Sequence, residues 1–567
     1  MAQMYNKEEN TSRQPWWETG VIYQVYPRSF QDTNQDGVGD LNGVIQRLDY
    51  LKWMQVDCIW LSPVFRSPMA DFGYDISDYT GIDPLFGSID DFDRLISEVH
   101  RRDMKLILDL VPNHTSDQHP WFRESRKDLH NRKRNWYIWQ DGGPDHTPPN
   151  NWKSVFGGPA WEYDSATGQF YYHAFLKEQP DLNWRNPEVW QAILDVMRFW
   201  LEKHVDGFRV DVMWHMVKDE LLRNNPSQPG TDPASDFYDD YLPVYSTDQP
   251  EVHEIVRAMR ELLESYGQKV LIGEIYLPVS KLIHYYGKDN KGAHLPFNFQ
   301  LLTAEWKAEQ ISAIINEYEG ALPEGGWPNW VLGNHDQRRI ATRIGLPQAR
   351  VAAMLLLTLR GTPTLYYGEE IGMTDVAIPR SEIVDPQGLG FPDLYASRDP
   401  GRTPMQWDSS PYAGFSQTKA WLRLAHNYNE VNVANQQHAP ASMLNLYRKL
   451  IDLRKNEPAF TRGAYTPLYT DQQVLAYVRA APEGDKFMVV LNLTAGPARF
   501  DPPHQQWHGE VVINTLPGRE GLPTSGPILL NGDEGLIIRL EPGAGQPEDP
   551  ASTEGLATTG STPPRIR

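Results

Sequence analysis

Short apolar runs alternate with stretches of helical spacing along most of the chain, and this alternation predicts a parallel α/β fold. Apolar runs predict strands at 22–26, 58–64, 104–111, 207–212, 269–275, 294–299, 329–336 and 362–368. Apolar residues at i, i+3 and i+4 predict helices at 41–55, 92–102, 187–203, 251–266, 348–359 and 443–455. Eight strands, most of them followed by a helix, predict a (β/α)8 TIM barrel.

Other patterns interrupt and follow the barrel. Residues 115–184 are rich in aromatics, Gly, Pro and Asn, which indicates a small lobe inserted after the third strand, so the barrel is assigned to 16–114 and 185–455. Short alternating runs predict a C-terminal antiparallel β domain at 466–541. The chain ends, 1–15 and 542–567, are expected to be disordered. A polar excursion at 224–250 is expected to be a loop near the site.

Composition and charge narrow the class of protein. Hydrophobic residues make up 40% and charged residues 22%, which is typical of a soluble globular protein. The net charge of −21 argues against nucleic acids and anionic membranes as partners. The single cysteine, Cys58, fits a reducing compartment, and the polar first residues carry no signal-peptide pattern, so we expect a cytoplasmic protein. The longest apolar stretch is too short for a bilayer, and the oligomeric state stays open.

A loop after the first strand carries oxygen side chains at alternate positions. The ligand candidates for a cation are Asp32, Asn34, Asp36, the carbonyl of Val38, and Asp40. Gly37 allows a tight turn, as in the first nine places of a calcium loop. Gly43 stands where an EF-hand has Glu, and no helix precedes the loop, so we expect a lone site for structural Ca²⁺. The alternative is an Asx-rich turn without metal.

The stretch 206–215 is the one on which the functional interpretation depends. Side chains alternate along a strand, so Arg209 and Asp211 share a face. We expect Arg209 to lower the pKa of Asp211 and hold it ionised, as a carboxylate nucleophile requires. The alternative for this fragment alone is a buried structural ion pair.

Polar residues recur at the predicted carboxyl ends of the strands, where the chemistry of a barrel takes place. They are Asn113 and His114, Arg209 and Asp211, Glu274, and His335 and Asp336. Each acid alone could be a helix cap. Three acids and two histidines at one barrel mouth suit glycoside cleavage, which needs a carboxylate nucleophile and a protonated carboxylic acid. We expect burial and neighbouring anions to raise the pKa of Glu274.

At this point the sequence resembles a known family. Segments 109–114, 207–211, 273–274 and 334–336 are similar to the four signature segments of the α-amylase family of glycoside hydrolases, family 13. Segments 16–17, 23–30, 73–79, 179–184 and 401–407 place the resemblance in the oligo-1,6-glucosidase and α-glucosidase branch. It covers roughly 16–455, and implies a barrel, a lobe after strand three and a retaining mechanism. The 32–40 loop also resembles the metal loop of the branch.

The resemblance implies roles for nine residues. They are Asp211 as nucleophile, Glu274 as acid/base, Asp336 as the third acid that grips substrate hydroxyls, Tyr74 as aromatic platform, Arg209, His114 and His335 as the lining of the cleavage subsite, and Asp71 with Arg402 as the pair that grips the non-reducing-end sugar. This last pair closes the pocket, which makes the branch exo-acting. No organic cofactor is implied.

We therefore expect a retaining exo-acting α-glucosidase that releases glucose from short α-gluco-oligosaccharides through a glucosyl-enzyme intermediate. Val212 resembles the residue of α-1,6-preferring members, but residues 213–216 are not their usual continuation, so α-1,4 and α-1,6 linkages both stay open. An alternative is a transglucosylase or isomerase of the trehalose or isomaltulose synthase type. A catalytically silent, membrane-anchored relative that chaperones amino-acid transporters is disfavoured by the three acids.

Overall fold

The structure is a computed structural model that describes residues 14–232, 234–391, 397–502 and 507–541. The disorder expected for 1–13 and 542–567 lies outside these ranges. Eight strands form one sheet. They are Ile22–Val25 (β1), Cys58–Leu61 (β2), Lys105–Leu110 (β3), Gly207–Val210 (β4), Val270–Gly273 (β5), Leu295–Pro296 (β6), Asn329–Val331 (β7) and Thr362–Tyr366 (β8).

The sheet is parallel and closes on itself. Its strand order is β6-β5-β4-β3-β2-β1-β8-β7, and neighbouring strands pair in parallel. A parallel bridge between Asn298, just past β6, and Trp330 in β7 joins the two ends. The predicted (β/α)8 barrel is confirmed.

Helices surround the barrel. The long ones are Ile89–Arg101, Pro187–Glu202, Val252–Glu264, Ala308–Ala321, Leu346–Thr358 and Met443–Asn456. The shorter ones are Trp16–Thr19, Leu41–Gln46, Leu48–Trp53, Pro120–Ser125, Val279–Leu282, Gln300–Thr303, Ile340–Ile344, Pro386–Gly390, Val433–Gln437 and Pro458–Thr461. The single helix predicted at 41–55 is two helices that meet at Arg47. None of the helices in the described ranges has the length and apolarity needed to cross a bilayer.

Alternate residues of the barrel strands belong to two different cores. One core contains Ile22, Trp60, Ile107 and Ile272 and fills the barrel interior. The other contains the intervening strand residues Tyr23, Ile59, Leu106 and Leu271 with the buried side chains of the helices, and lies outside the barrel. This period of two is what a parallel sheet covered by helices requires.

Four smaller sheets lie outside the barrel in the part of the chain that the structure describes. Between β3 and β4, Trp139–Gln140, Gln169–Tyr172 and Trp161–Asp164 form an antiparallel sheet with its own core. The C-terminal antiparallel sheet has the order Ala464–Thr470, Val474–Ala480, Lys486–Asn492, Gly535–Leu540, His508–Asn514, Pro523–Ser525. Two-stranded pairs are Phe65–Arg66 with Asp78–Ile82, and Ala498–Phe500 with Ile528–Leu530.

Candidate active site

The inward-facing positions of three neighbouring strands end in charged side chains. Steps of two residues from Ile107 and Ile272 lead to Asp109 and Glu274, and Arg209 lies opposite both strands in the sheet register. Because side chains alternate, Asp109, Arg209, Asp211 and Glu274 come to one face at the carboxyl ends of β3, β4 and β5. All four are buried.

Arg209 is shared by three carboxyl groups. Its Nη1 lies 2.7 Å from Asp109 Oδ1 and 2.8 Å from Asp211 Oδ1, and its Nη2 lies 2.6 Å from Glu274 Oε2. Arg209 is completely buried, so these contacts replace its hydration. One cation cannot neutralise three anions, which favours a proton on at least one of the acids.

The two carboxyls nearest the expected cleavage point titrate together. Burial, and then the charge of Glu274, raise the pKa of Asp211 well above its usual value, and Arg209 offsets this only in part. Burial also raises the pKa of Glu274. Arg209 lowers the pKa of Asp211 as expected, but one guanidinium divided among three acids does not outweigh burial, so the net pKa of Asp211 is raised and not lowered. Both carboxyls therefore hold a proton more strongly than free carboxylic acids do.

Asp336, just past β7, has the opposite electrostatic environment. Burial alone would raise its pKa, but His335, Arg398 and Arg402 outweigh it and lower the pKa of Asp336. Its Oδ1 accepts hydrogen bonds from Arg402 Nη2 at 3.0 Å and Arg398 Nη1 at 3.2 Å. Asp336 is therefore the acid of the site that stays ionised.

Arg398 was missed by the sequence analysis, and it changes one expected contact. Asp71 Oδ1 lies 2.7 Å from Nη2 of Arg398, rather than on Arg402. The same Nη2 donates to buried Asp385 at 2.7 Å, while Arg402 binds Asp336. Asp71 and Arg402 therefore do not touch each other but are linked through Arg398 and Asp336, and their role in gripping the sugar stays a prediction. The signal in the sequence was a second arginine just before the 401–407 segment.

Tyr74 and His335 form a flat wall of the site. Their rings are parallel within 5° at 5.2 Å. Tyr74 donates its hydroxyl proton to Asp109 Oδ2 at 3.0 Å, so at 2.6 Å from His335 Nε2 it accepts. The proton of His335 is therefore on Nε2, and burial lowers the pKa of His335 to about 3.

A buried lysine sets the tautomer of His114. Lys218 Nζ can only donate, and it binds Asn113 Oδ1 at 2.7 Å. Asn113 must then present Nδ2 to Asp181 Oδ2 at 2.8 Å and to His114 Nδ1 at 3.2 Å. His114 Nδ1 accepts, which leaves the ring proton on Nε2, where the carbonyl of Tyr74 and the amide nitrogen of Gln179 both lie at 3.1 Å. Burial lowers the pKa of His114, which keeps it neutral.

These side chains open into one pocket of about 460 Å³. Its inner residues are Asp71, Tyr74, His114, Asp211, Glu274, His335, Asp336 and Arg398. Of the residues expected to bind substrate, Arg209 and Arg402 are not among the pocket-lining residues and instead hold its carboxylates. The excursion at 224–250 contributes Tyr238, Asp239, Pro243 and Thr247 to the lining of this pocket, as do the aromatic residues Phe156, Phe175 and Trp214.

The predicted cation ligands Asp32, Asn34, Asp36, Val38 and Asp40 lie in one loop before helix Leu41–Gln46. Both oxygens of Asp32 accept hydrogen bonds, one of them from the Ser416 hydroxyl. Asp40 accepts from Thr33 and caps the helix. Within the described ranges, no group of three or more acidic, His or Cys side chains is placed to hold a metal ion. The side chains as they stand serve the turn, and the calcium site stays a prediction.

Comparisons with known proteins agree with this geometry. Residues 24–463 match the family model for the alpha amylase catalytic domain. A probable alpha-glucosidase of Rhizobium meliloti (strain 1021) is 40% identical over 82% of this chain and 87% of its own length. An oligo-1,6-glucosidase of Heyndrickxia coagulans is 39% identical over 87% of this chain and 94% of its own. The solved structure of an alpha-glucosyl transfer enzyme superposes with a TM-score of 0.88 at 40% identity, covering 93% of this chain and all of the other.

Proposed function

Since this chain belongs to the α-amylase family of glycoside hydrolases, we propose that it is a retaining, exo-acting α-glucosidase that releases glucose from the non-reducing end of short α-gluco-oligosaccharides. The observation that carries the proposal is the placement of Asp211 and Glu274 on one buried guanidinium at the base of the pocket. A shared guanidinium favours the short carboxyl separation, about 5–5.5 Å, of retaining enzymes.

The hydrogen bonds assign the atoms of the first step. Asp211 Oδ1 is bound by Arg209, so Oδ2 is the oxygen left to attack the anomeric carbon. As that bond forms, Glu274 gives its proton to the glycosidic oxygen, which leaves with the electron pair of the broken bond. Esterification removes the charge of Asp211, so Glu274, which has given up its proton, can stay ionised. In the second step Glu274 accepts a proton from water, the water oxygen bonds to the anomeric carbon, and the bond from that carbon to Asp211 Oδ2 breaks, which restores the Asp211 carboxylate. The glucose is released with its configuration retained.

Charges at the inner end of the pocket support exo action. Asp71, Arg398 and Asp336 form a chain of ion pairs in the pocket lining, and we infer that it closes the pocket beyond one terminal glucose. Their oxygens and N–H groups suit the hydroxyls of one terminal glucose. The excursion adds Tyr238, Asp239, Pro243 and Thr247 to the same pocket, and we infer that they contact the leaving group.

The experiment is incubation of the enzyme with maltose, isomaltose, sucrose and trehalose, followed by product analysis. Free glucose from maltose or isomaltose supports the hydrolase and identifies its linkage. The alternative, a transglucosylase or isomerase, is favoured by the similarity to the alpha-glucosyl transfer enzyme, and would give new disaccharides or trisaccharides instead. Asp211→Asn is the control, and should lose several orders of magnitude in kcat while staying folded. No turnover of any of the four sugars would contradict both functions.

We also propose that the loop at 32–40 takes up Ca²⁺ in a structural role. Its support is the alternation of oxygen side chains, and the ion would have to displace the hydroxyls of Ser416 and Thr33 from Asp32 and Asp40. A chelator should lower the melting temperature of the parent but not of Asp36→Ala, and should leave kcat unchanged at a temperature where the enzyme is folded. If the chelator leaves the melting temperature unchanged and metal analysis finds no bound calcium, the loop is a hydrogen-bonded turn without a metal ion.

We place the enzyme in the cytoplasm. Cys58 is the only cysteine of the chain, so no intrachain disulfide can form, which fits a reducing compartment. The thiol is buried, and burial raises its pKa well above the usual value, which makes it unreactive. Fractionation of producing cells tests this placement, and activity found only outside the cytoplasm would contradict it.

A further inference from the structure

Val212, the residue after the proposed nucleophile, has a strained backbone. Its φ is 37° and its ψ is 47°, in the left-handed region. That region is disfavoured for L residues and most of all for β-branched ones. Such strain persists only where the surrounding structure over-determines it, and it tends to occur at functional sites.

The strained turn directs two successive N–H groups to one acid. Val212 N–H donates to the carboxyl oxygen Oε2 of Glu274 at 2.9 Å. The next N–H, that of Met213, donates to the main-chain carbonyl of Glu274 at 3.2 Å, and Glu274 N–H returns to Val210 O at 2.9 Å. Successive N–H groups point in a common direction when the backbone has left-handed turns, and they form a concave donor surface.

These donors decide which oxygen of Glu274 can carry a proton. Oε2 meets Val212 N–H and lies 2.6 Å from Arg209 Nη2, and both groups carry hydrogen. Because Oε2 accepts one N–H and lies against the guanidinium cation, the negative charge of the carboxyl is best held on Oε2, which favours the proton on Oε1. The charged and titratable groups around Glu274 are Arg209 and Asp211 from β4, Asp109 from β3, Asp336 from the end of β7, and Tyr276 from its own segment.

We propose that Val212 is a positioning residue whose left-handed backbone holds its N–H on Glu274 Oε2 and thereby commits the catalytic proton to Oε1. The inference rests on the proposed function of Glu274 as acid. When the Oε1 proton passes to the glycosidic oxygen and the anomeric bond breaks, negative charge appears on the carboxyl. The N–H on Oε2 stabilises that charge at the moment it forms.

The test replaces Val212 by its α-hydroxy acid through codon suppression, which turns the amide into an ester. This keeps the side chain and removes only the N–H. We expect kcat/KM for maltose to fall about 10- to 100-fold, the loss typical of one hydrogen bond to a charged group. Loss of a donor to the carboxylate weakens the acid, so the alkaline limb of kcat/KM should move up by about one pH unit. Aryl glucosides, which need less protonation, should lose less.

The matched control is the same replacement at Met213, whose N–H binds the carbonyl of Glu274 rather than its carboxyl. It should leave the alkaline limb in place. Val212→Gly keeps the N–H and adopts the left-handed backbone without strain, so it too should keep the parent limb. The proposal would be overturned if the enzyme with the ester at 212 kept the parent's alkaline limb and lost kcat/KM equally for maltose and for aryl glucosides.

A second measurement does not depend on the folding of the ester. Neutron diffraction from the unmodified enzyme near neutral pH should show deuterium on Oε1 of Glu274. Deuterium on Oε2 would overturn the proposal. A failure of the proposed function would instead appear in the unmodified enzyme, as no turnover of any glucoside.

Discussion

At the scale of single residues, the sharing of Arg209 by three acids determines the pH behaviour. Burial raises the pKa of both Asp211 and Glu274, so the pair loses its shared proton above the pH at which free carboxyls titrate. Activity requires one proton on the pair. It should disappear as the pH rises and that proton leaves, and also as the pH falls and a second proton binds.

We therefore expect a bell-shaped kcat/KM for maltose with its alkaline limb set by the last proton of the Asp211–Glu274 pair. Glu274→Gln removes the acid, so it should reduce maltose cleavage far more than cleavage of activated aryl glucosides, whose leaving groups need no proton. For the aryl substrates the alkaline limb should disappear. Equal losses on both substrates with the parent's alkaline limb would rule out Glu274 as the acid.

Arg398 supports a second prediction at this scale. It touches Asp71, Asp336 and Asp385 at once, through the breadth of a guanidinium that lysine lacks. Arg398→Lys keeps a cation beside buried Asp385 but cannot span all three acids. The KM for maltose should rise about 10-fold with a smaller change in kcat, because grip on the terminal sugar is used in both ground and transition states.

The matched control for Arg398→Lys is Arg338→Lys. Arg338 pairs with Asp375 at 3.0 Å, and its side chain is 71% exposed. The control should behave as the parent in both KM and kcat. If the Arg398→Lys enzyme keeps the parent's KM, Arg398 does not belong to the sugar-binding set.

The side chains of the site were easier to predict than their partners. Arg209, Asp211 and Glu274 follow from the period of two in the strands, because parity decides which residues reach the barrel mouth. Asp109 has the same parity but was not named as a site residue. Arg398 and Arg402 lie outside the barrel strands, in an irregular segment where no period applies. Which of the two arginines contacts Asp71 depends on the backbone path of that segment, and this path cannot be predicted from the spacing of residues in the sequence.

At the scale of elements, the barrel was predictable because its strands are buried on both faces and read as continuous apolar runs. The helix Ala308–Ala321 was not predicted, although Ile311, Ile315 and Tyr318 are buried with helical spacing. Its flanks carry weak boundary signals, since no side chain caps its start and no glycine follows its end. Periodicity without caps was the signal that could have found it.

Lys218 connects two other parts of the chain. It forms an ion pair with Asp181, in the segment before β4, and it donates a hydrogen bond to Asn113 at the end of β3. In Lys218→Met the repulsion that helps to keep His114 neutral is gone, while the attraction of Asp181 remains. The pKa of His114 should therefore rise. A protonated His114 carries a proton on Nδ1, which would face the donating amide of Asn113 and break their hydrogen bond. The acid limb of kcat/KM should therefore move to higher pH.

The pH profile separates this positioning role from simple loss of stability, which would lower activity equally at every pH. Adding Asp181→Asn to Lys218→Met should move the acid limb back toward the parent. The control is Lys203→Met, which removes a surface ion pair with Asp93. An unchanged acid limb in Lys218→Met would show that Lys218 only fills space.

At the scale of the whole molecule, a buried arginine joins the C-terminal sheet to the end of a barrel helix, and a second arginine, in helix Met443–Asn456, binds the same helix end. Arg479, in strand Val474–Ala480, donates to the carbonyls of Thr358 and Gly463. Arg454 donates to the carbonyls of Leu357 and Leu359. Three of these carbonyls close the helix Leu346–Thr358, where unpaired C=O groups and the negative end of the helix dipole favour a cation.

Arg479→Met should therefore destabilise the whole molecule and not only its C-terminal sheet. Two or more buried carbonyls lose their donors, and the free energy of unfolding should fall by about 2–4 kcal/mol. Urea unfolding followed by tryptophan fluorescence measures this, with kcat unchanged in the folded range because Arg479 is far along the chain from every pocket residue. Arg499→Met, which removes an exposed pair with Asp501, should change stability by less than about 0.5 kcal/mol. If Arg479→Met instead melts the C-terminal sheet in a separate early transition and leaves the barrel active, the two parts are not coupled through this arginine.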